Sequence, residues 1–595
     1  MRTVLVAMPF MSADRPSIQL GLLRAIGAGH GFDVGTLHAN LDLAARIGAD
    51  FYRTIADARG PLIGDWLFAV EAFGEQAPDP GAGLLDELGI TGPERDRLLR
   101  ARAEDVPALL TDLAGAPDWA DVQVAGFTCT FQQNTASFAL ARRLKAEHPH
   151  LITVFGGAGF DGGMGRELLR RVAAIDLVVS GEADTAFPAL LRVLADGGDP
   201  ATVPGVARRD RAAPPAPPHR DLDALPAPDY HEYFDRAERL GLLPEAGSGE
   251  VWLPFESSRG CWWGARHHCT FCGLNATTMS YRSKSPQRVL DELATLAGRH
   301  RTLRFEAVDN ILDMRYLTSL FPAAADGRHD YELFYEAKAN LTREQVRALA
   351  HGGVTRLQPG LESLSSHVLA LMDKGVRAAQ NVNLLRWARY YGIDVAWSIL
   401  WGFPGETPDD YAEQAAVVPH LAHLQPPEGS GRVWLERFSP LFATARNRTP
   451  QRSYRHVYPA GFDLDRLAYF FDHDPADELP DEVYAPLRTA LDTWSRDWRR
   501  DPRPSLTYRS APGVLRIDDD RHPDSAGAYT FSGPIAEVYL ACVDRPAGLP
   551  AIYRRLRPKP PGYVDEVLAE FTARGLIFRD GPLAVALAVP AVPGR

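Results

Sequence analysis

The chain has 595 residues, of which 45% are hydrophobic and 24% charged, with a formal net charge of −12. Its length suggests about three or four domains of ordinary soluble composition. The negative charge argues against a general nucleic-acid binder, which needs positive charge to displace counterions. No apolar run of about 18 residues predicts a membrane span. The start, MRTVLVAMPF, runs straight into a strand-like segment and lacks the features of a signal peptide. Only five cysteines occur: Cys129, Cys261, Cys269, Cys272 and Cys542. An odd, clustered set in so long a chain argues against a secreted disulfide scaffold and for a reducing cytoplasm. Cys129 and Cys542 are expected to be buried apolar residues.

The expected fold is α/β multidomain. Residues 1–210 alternate strand-like runs (Thr3–Met8, Val122–Phe127, Ile152–Phe155, Leu177–Val179) with helical patterns such as Ile18–Ile26. Short apolar runs closed by glycines predict a parallel, doubly wound sheet, here with a mostly helical insertion at 41–117. Ligands of such sheets bind at the C-terminal ends of the strands. The loops there are Met8–Gln19, Thr128–Thr130, Gly156–Gly159 and Gly181–Asp184. Gly157, Gly159 and Gly162 match G-x-G-x-x-G, but after a late strand, which makes a nicotinamide site a weak reading. A linker over 211–250 contains the proline-rich stretch Ala212–Pro218.

Residues 251–450 again alternate. The candidate strands are Trp252–Glu256, Leu303–Val308, Leu333–Ala337, Thr355–Gln358, Val395–Leu400 and Val433–Phe438. Ser285-Pro286 opens a helix as N-cap and first turn, with Val289, Leu293 and Leu296 on one face. Six units predict a partial (β/α)6 barrel with chemistry at the C-terminal strand ends. The remaining region, 451–595, ends in a small α+β winged-helix-like domain. Its strands are Ser505–Arg509 and Gly513–Asp518, followed by three short helices. The last helix carries Val564, Leu568 and Phe571 on one face and stops at Gly575. A hairpin follows, from Leu576–Phe578 to Leu583–Val589.

The segment from Glu256 to Gly273 spaces its cysteines as C-x7-C-x2-C. Three thiolates so close can ligate one metal center. Two readings stand on spacing. One is structural zinc with His267 or His268 as fourth ligand. The other is a four-iron cluster whose fourth iron stays open to a small molecule. The position directly after the first barrel strand, where active-site loops sit, favors the cluster.

The string RGCWWGARHHCTFCGLN resembles the cluster loop of the radical-SAM superfamily, whose usual spacing is C-x3-C-x2-C. The longer first gap resembles a branch of cobalamin-dependent radical-SAM enzymes that mature ribosomal peptides, the C-methyltransferases. This likeness extends over roughly residues 1–450. It implies a 4Fe-4S cluster on Cys261, Cys269 and Cys272, with Phe271 near bound S-adenosylmethionine (SAM). Further strand ends would contact SAM: Asp309 and Asn310 after strand two, and Glu336 and Lys338 after strand three. Gln358 and Glu362 after strand four, and Ser398 and Gly402 on strand five, complete that set. The doubly wound domain resembles a cobalamin-binding domain. Pro16, Ser17, Gln19, Thr128, Thr130, Gly156, Gly157, Ala158, Gly181 and Glu182 are the residues implied to face cobalamin. The pattern D-x-H-x-x-G is absent, so no histidine is expected beneath cobalt.

By resemblance, the implied activity is C-methylation of an unactivated carbon in a precursor peptide with a leader. SAM on the open iron would yield the radical that abstracts hydrogen. The implied partners are that peptide and an electron donor such as a flavodoxin or ferredoxin, with no nucleic acid and no membrane, in the cytoplasm. Cyclization, epimerization or bond cleavage of a peptide, and a zinc-stabilized binding protein, are the competing readings. The tail loosely resembles small peptide-recognition domains that add a leader to a sheet edge. Its basic string, Arg554-Arg555-Leu-Arg557-Pro-Lys559, also permits a nucleic-acid reading or a solvated face.

Overall fold

A computed structural model describes residues 1–595 except 59, 213, 245–246, 276–277, 474–478, 557 and 593–595. Arg557 of the basic string therefore lies outside the described residues.

The N-terminal sheet comprises β1 (Arg2–Ala7), β2 (Asp33–His38), β3 (Val124–Thr128), β4 (Ile152–Gly156), β5 (Leu177–Val179) and β6 (Val206–Ala207). Their order is β2-β1-β3-β4-β5-β6. All neighbors run parallel except β6, which is antiparallel to β5. Parallel sheets are buried on both faces, which is why these strands read as continuous apolar runs. Leu5, Val124 and Val154 pack on one side against Leu20, Phe187 and Leu190. Val6, Ala125 and Phe155 pack on the other against the insertion, including Trp66, Leu67 and Phe68. Helix Ile18–Gly29 starts at Ser17, whose Oγ accepts from the Leu20 amide at 3.3 Å. The edge strand β2, DVGTLH, escaped sequence reading because its apolar residues are too sparse to mark a buried run.

The second sheet is β7 (Leu253–Phe255), β10 (Arg304–Ala307), β11 (Glu332–Glu336), β12 (Val354–Gln358) and β13 (Asp394–Val395), all parallel. Between β7 and β10 lie two short strands, β8 (Ser258–Arg259) and β9 (Arg282–Ser283), paired antiparallel. Strand five breaks after Val395 and resumes as β14 (Ser398–Trp401), which joins β12's loop through a bridge between Glu362 and Ile399. Its partner is β15 (Gly429–Arg432). The expected sixth strand at Val433–Phe438 is thus corrected to 429–432. Leu435–Glu436 (β16) instead pairs antiparallel with β18 (Phe470–Asp472), alongside β17 (Thr449–Pro450). The sequence GSGR of β15 carries neither apolar nor alternating character, whereas the apolar run just after it has the pattern of a buried strand.

The C-terminal unit has three antiparallel strands before its helices, β19 (Leu506–Ala511), β20 (Val514–Asp519) and β21 (Gly527–Ser532), where two were expected. A three-stranded antiparallel sheet follows, of β22 (Ala547–Gly548), β23 (Ile577–Asp580) and β24 (Leu583–Ala586). This unit shares one apolar core with the barrel. Arg386, on barrel helix Ala378–Tyr391, is completely buried and donates to the carbonyls of Val543, Leu587 and Ala588.

Candidate active site

The cysteine loop leaves the barrel through a neck. β8 and β9 set Ser258 opposite Ser283 and Arg259 opposite Arg282. Gly260 turns the chain with φ +79°, and a Cβ there would sit 2.4 Å from the Ser280 carbonyl oxygen. Asp309 secures the incoming strand. It is buried, and accepts from the amides of Ser257 (2.8 Å) and Ser258 (2.9 Å) and from the Ser257 hydroxyl. Burial pushes its carboxyl up to about 6. Asp309, expected to contact SAM, has one oxygen on the two amides and the other on the Ser257 hydroxyl, and the adjacent Asn310 rather than Asp309 lines the cysteine cavity.

That cavity, of about 220 Å³, brings Cys261, Cys269 and Cys272 together with Phe271, Asn310, Glu336, Lys338, Gln358 and Glu362. Ser398 and Gly402 do not line it, and the Gly402 amide is donated to the Glu406 carboxylate at 2.9 and 3.1 Å. Lys374 does line it, 3.4 Å from Glu362. No motif flagged Lys374, which comes from the loop after helix Ser366–Leu371. Burial raises the thiols of Cys269 and Cys272, the latter to about 12. Burial likewise raises Glu336 to about 7, with Asp309 and Glu362 adding to it. Burial, helped by Lys374, lowers Lys338 to about 8. Burial opposes the charge on Lys374, but the Glu362 carboxylate beside it leads the effects that outweigh burial and raise its affinity for the proton.

Of the two histidines in the loop, His268 lines the cysteine cavity and His267 does not. His267 stacks on Trp263 at 4.4 Å between centroids, and a His268 ring nitrogen lies 2.9 Å from the Cys272 carbonyl oxygen.

The extra residues of the first cysteine gap anchor the loop. Trp262 donates to the Leu312 carbonyl and Trp263 to that of Asp373, each at 3.0 Å. The Lys338 ammonium sits 3.3 Å from the Trp263 ring center. Gly375 lies beneath the same indole at φ +61°, where a Cβ would fall 2.1 Å from the ring. Gly375→Ala is therefore expected to unseat Trp263, at a local cost of about 1–3 kcal/mol from overpacking. Amide exchange at residues 262–272 should accelerate, while helix Tyr563–Ala573 keeps its protection.

Two larger cavities adjoin. An apolar crevice of about 420 Å³ lies between the N-terminal sheet and the helices Ile18–Gly29 and Ala183–Ala195, walled by residues such as Leu5, Leu20, Val154 and Leu190. Thr128, Gly156 and Gly157 also line it. A chamber of about 540 Å³ is lined by Thr130 and Ala158, and by Asp65, Asn134, Tyr454 and Tyr458, which sequence reasoning missed. Burial pushes Asp65 up to about 7. Crevice and chamber share Gln19, Gly181, Glu182, Glu256, Arg259 and Val308; chamber and cysteine cavity share Leu274, Asn275 and Asn310. The three spaces thus lie in series. Pro16 and Ser17 are on none of these walls; Ser17 is buried and its amide donates to His38 Nε2 at 3.1 Å. Glu182 is on two walls, but its carboxylate is bound by Arg259, Arg282 and the His219 amide.

Three buried polar atoms of chamber-lining residues have no protein partner: Asn134 Oδ1, Glu256 Oε2 and Arg282 Nε. Each such atom costs about 1–3 kcal/mol unless something polar meets it. A polar-rimmed ligand suits the chamber, just as an apolar one suits the crevice.

The fold is thus a doubly wound sheet beside a partial barrel that carries a three-cysteine loop after its first strand. Residues 255–416 match the Radical SAM superfamily and form the radical SAM domain of this chain. Over 344 residues the chain is 25% identical to "Uncharacterized methyltransferase PH0819" of Pyrococcus horikoshii, covering 56% of this chain and 71% of that one. Its fold is similar to that of the radical S-adenosylmethionine methyltransferase TsrM from Kitasatospora setae, solved with cobalamin and a 4Fe-4S cluster bound. The TM-score is 0.56 at 17% identity, over 84% of this chain and 92% of that chain. It is also similar to the cobalamin-dependent S-adenosylmethionine radical enzyme OxsB, solved with aqua-cobalamin and S-adenosylmethionine. There the TM-score is 0.55 at 13% identity, over 83% of this chain and 66% of that chain. At these identities the two likenesses are of fold.

Proposed function

We propose that the chain is a cobalamin-dependent radical SAM methyltransferase acting on an unactivated carbon of a ribosomally made precursor peptide. The observation that carries this reading is the series of cavities: apolar crevice, polar chamber, cysteine cavity. A reaction in which a methyl carrier and a radical source flank one substrate needs such an order. The methyltransferase name of the Pyrococcus relative, and the cofactors named for TsrM and OxsB, support it.

The residues present fit the groups. Cys261, Cys269 and Cys272 would hold a 4Fe-4S cluster. Asn310, Glu336, Lys338, Gln358 and Glu362 supply the polar groups of the same cavity and would hold SAM. Small or short residues at the sheet ends (Gly156, Gly157, Ala158, Thr128, Thr130) would let a corrin approach the backbone, with the apolar crevice taking its nucleotide tail. Neither crevice nor chamber has a histidine among its described lining residues. When bound, the cluster supplies an electron for SAM cleavage and cobalamin supplies a methyl carrier. The protein's part is to bind and orient these groups and to exclude water from them.

The peptide assignment rests on the resemblance of the cysteine loop, and on β21, the outermost strand of its sheet, whose residues alternate between exposed and half-exposed over 528–532. An extended leader could add to that edge. A cytoplasmic flavodoxin or ferredoxin would supply electrons. No helix of the described residues is long and apolar enough to cross a membrane.

The test is anaerobic turnover of a precursor peptide encoded beside this gene, with SAM, hydroxocobalamin and reduced flavodoxin. Each methylation should add about 14 mass units and yield one S-adenosylhomocysteine and one 5′-deoxyadenosine, since the cofactors divide the work. Unmethylated peptide with stoichiometric 5′-deoxyadenosine would reject methyl transfer and leave cyclization, epimerization or cleavage.

A further inference from the structure

The neck of the cysteine loop holds two arginines directly opposite each other, Arg259 on β8 and Arg282 on β9. Like charges in that relation push strands apart. Both side chains are mostly buried, at 15% and 11% exposure, so water screens them little. Among the described ion pairs the barrel itself offers one carboxylate, Glu256, which meets Arg259 at 2.5 Å. The remaining compensation comes from the N-terminal domain, from Glu182 after β5 and from Asp184 in the first turn of helix Ala183–Ala195.

Glu182 stands between the two arginines, 2.7 Å from Arg282 and 3.2 Å from Arg259. Asp184 takes Arg259 in a two-pronged pair at 2.6 and 2.9 Å. His219, in the linker, ties the arrangement on both sides: its amide donates to Glu182 and its carbonyl accepts from Arg282, each at 2.7 Å. Among the described ion pairs, Glu182 is the only carboxylate that meets Arg282. Paired charges at this burial hold geometry, and loss of one partner leaves the other uncompensated.

We propose that Glu182 and Asp184 are positioning residues for the cysteine loop: by neutralizing the arginine pair at its neck, the N-terminal domain holds the loop closed. Loop register and domain docking are then one coupled state. The chamber wall and the cysteines are set together, although they belong to different domains. For its second readout this inference rests on the cluster proposed above.

The experiment is amide exchange on the full chain, purified anaerobically without added cofactors, followed at residues 261–275. Glu182→Gln should speed exchange there by at least about tenfold, with Asp184→Asn acting in the same direction. Helix Tyr563–Ala573 serves as the internal control for folding. The double variant Glu182→Gln/Arg282→Gln removes the repulsion as well as its remedy, and should return exchange to within about twofold of wild type. Wild-type rates in both single variants, or a double variant faster than Glu182→Gln alone, overturns the proposal. In reconstituted protein the reduced-cluster electron paramagnetic resonance spectrum should shift in Glu182→Gln and recover in the double variant. An exchange pattern as expected, with no cluster signal even in wild type, supports the neck and rejects the cluster; an unchanged spectrum in Glu182→Gln overturns the loop-positioning role.

Discussion

Alanine at any one of Cys261, Cys269 or Cys272 is expected to strip the protein of its iron and sulfide. A wild-type chain reconstituted anaerobically should hold about four of each. Each variant should hold fewer than about one, because two thiolates cannot keep a four-iron cluster whose fourth iron already lacks a protein ligand. The loss should be local. All three cysteines are only partly buried and line a cavity rather than the core. Trp262 and Trp263 anchor the loop independently of the thiols. The variants should therefore unfold within about 1 kcal/mol of wild type, as substitutions outside the core do. Colorimetric iron and sulfide assays, with thermal unfolding of the same samples, decide it. A colorless wild-type protein with a single zinc would refute the cluster outright. Cys129→Ala and Cys542→Ala form the contrast. Both residues are completely buried, and burial holds both thiols up near 12. They should lower stability without touching iron content.

Much of the architecture was legible because it is written in short-range patterns. The apolar runs of β1, β3, β4 and β5 stand out because both faces of a parallel sheet are covered. The cysteine loop stands out because its ligand-type residues are close in sequence. The misreadings have a common physical source. Asp309 looks like a strand-end acid free to meet a ligand, yet the amides of Ser257 and Ser258 take one of its oxygens and the Ser257 hydroxyl the other. No pattern around Asp309 announces that, because its partners lie some fifty positions away. Glu182 and Arg282 meet across 100 positions, so neither signals the other. The strand β15 hides because GSGR relies on pairing with β14 rather than on side-chain burial. Asn134 and Asp65 join the chamber wall only through the packing of the insertion against helix Asn134–Glu147. What a sequence withholds in this protein is chiefly the long-range partner that decides whether a polar residue is free or spent.

Replacing Arg386 with alanine is expected to be the most damaging substitution outside the cysteine loop. The guanidinium is completely buried and meets no carboxylate among the described ion pairs. It caps the carbonyls of Ala588 at 2.8 Å, Val543 at 3.0 Å and Leu587 at 3.3 Å. Burial lowers its affinity for the proton, to about 10, yet leaves it charged at neutral pH. Alanine would take the guanidinium from the buried carbonyls of Val543 and Ala588, leave that of Leu587 to the ring of His423 at 3.0 Å, and open a space beside Trp387, which packs 5.1 Å from the guanidinium. Together these losses should cost about 3–5 kcal/mol. The loss should fall on the junction rather than on the cysteine loop, because all three carbonyls belong to the C-terminal unit. Limited proteolysis should then release fragments from the region beyond about residue 500, while iron content per folded barrel stays at the wild-type level. Lysine at the same position keeps a charge but offers a point donor in place of a fork, and should recover only part of the stability. If the C-terminal unit captures the peptide, Arg386→Ala should lose peptide turnover while still cleaving SAM without substrate. Wild-type proteolysis of Arg386→Ala would show that the shared apolar core alone holds the unit in place.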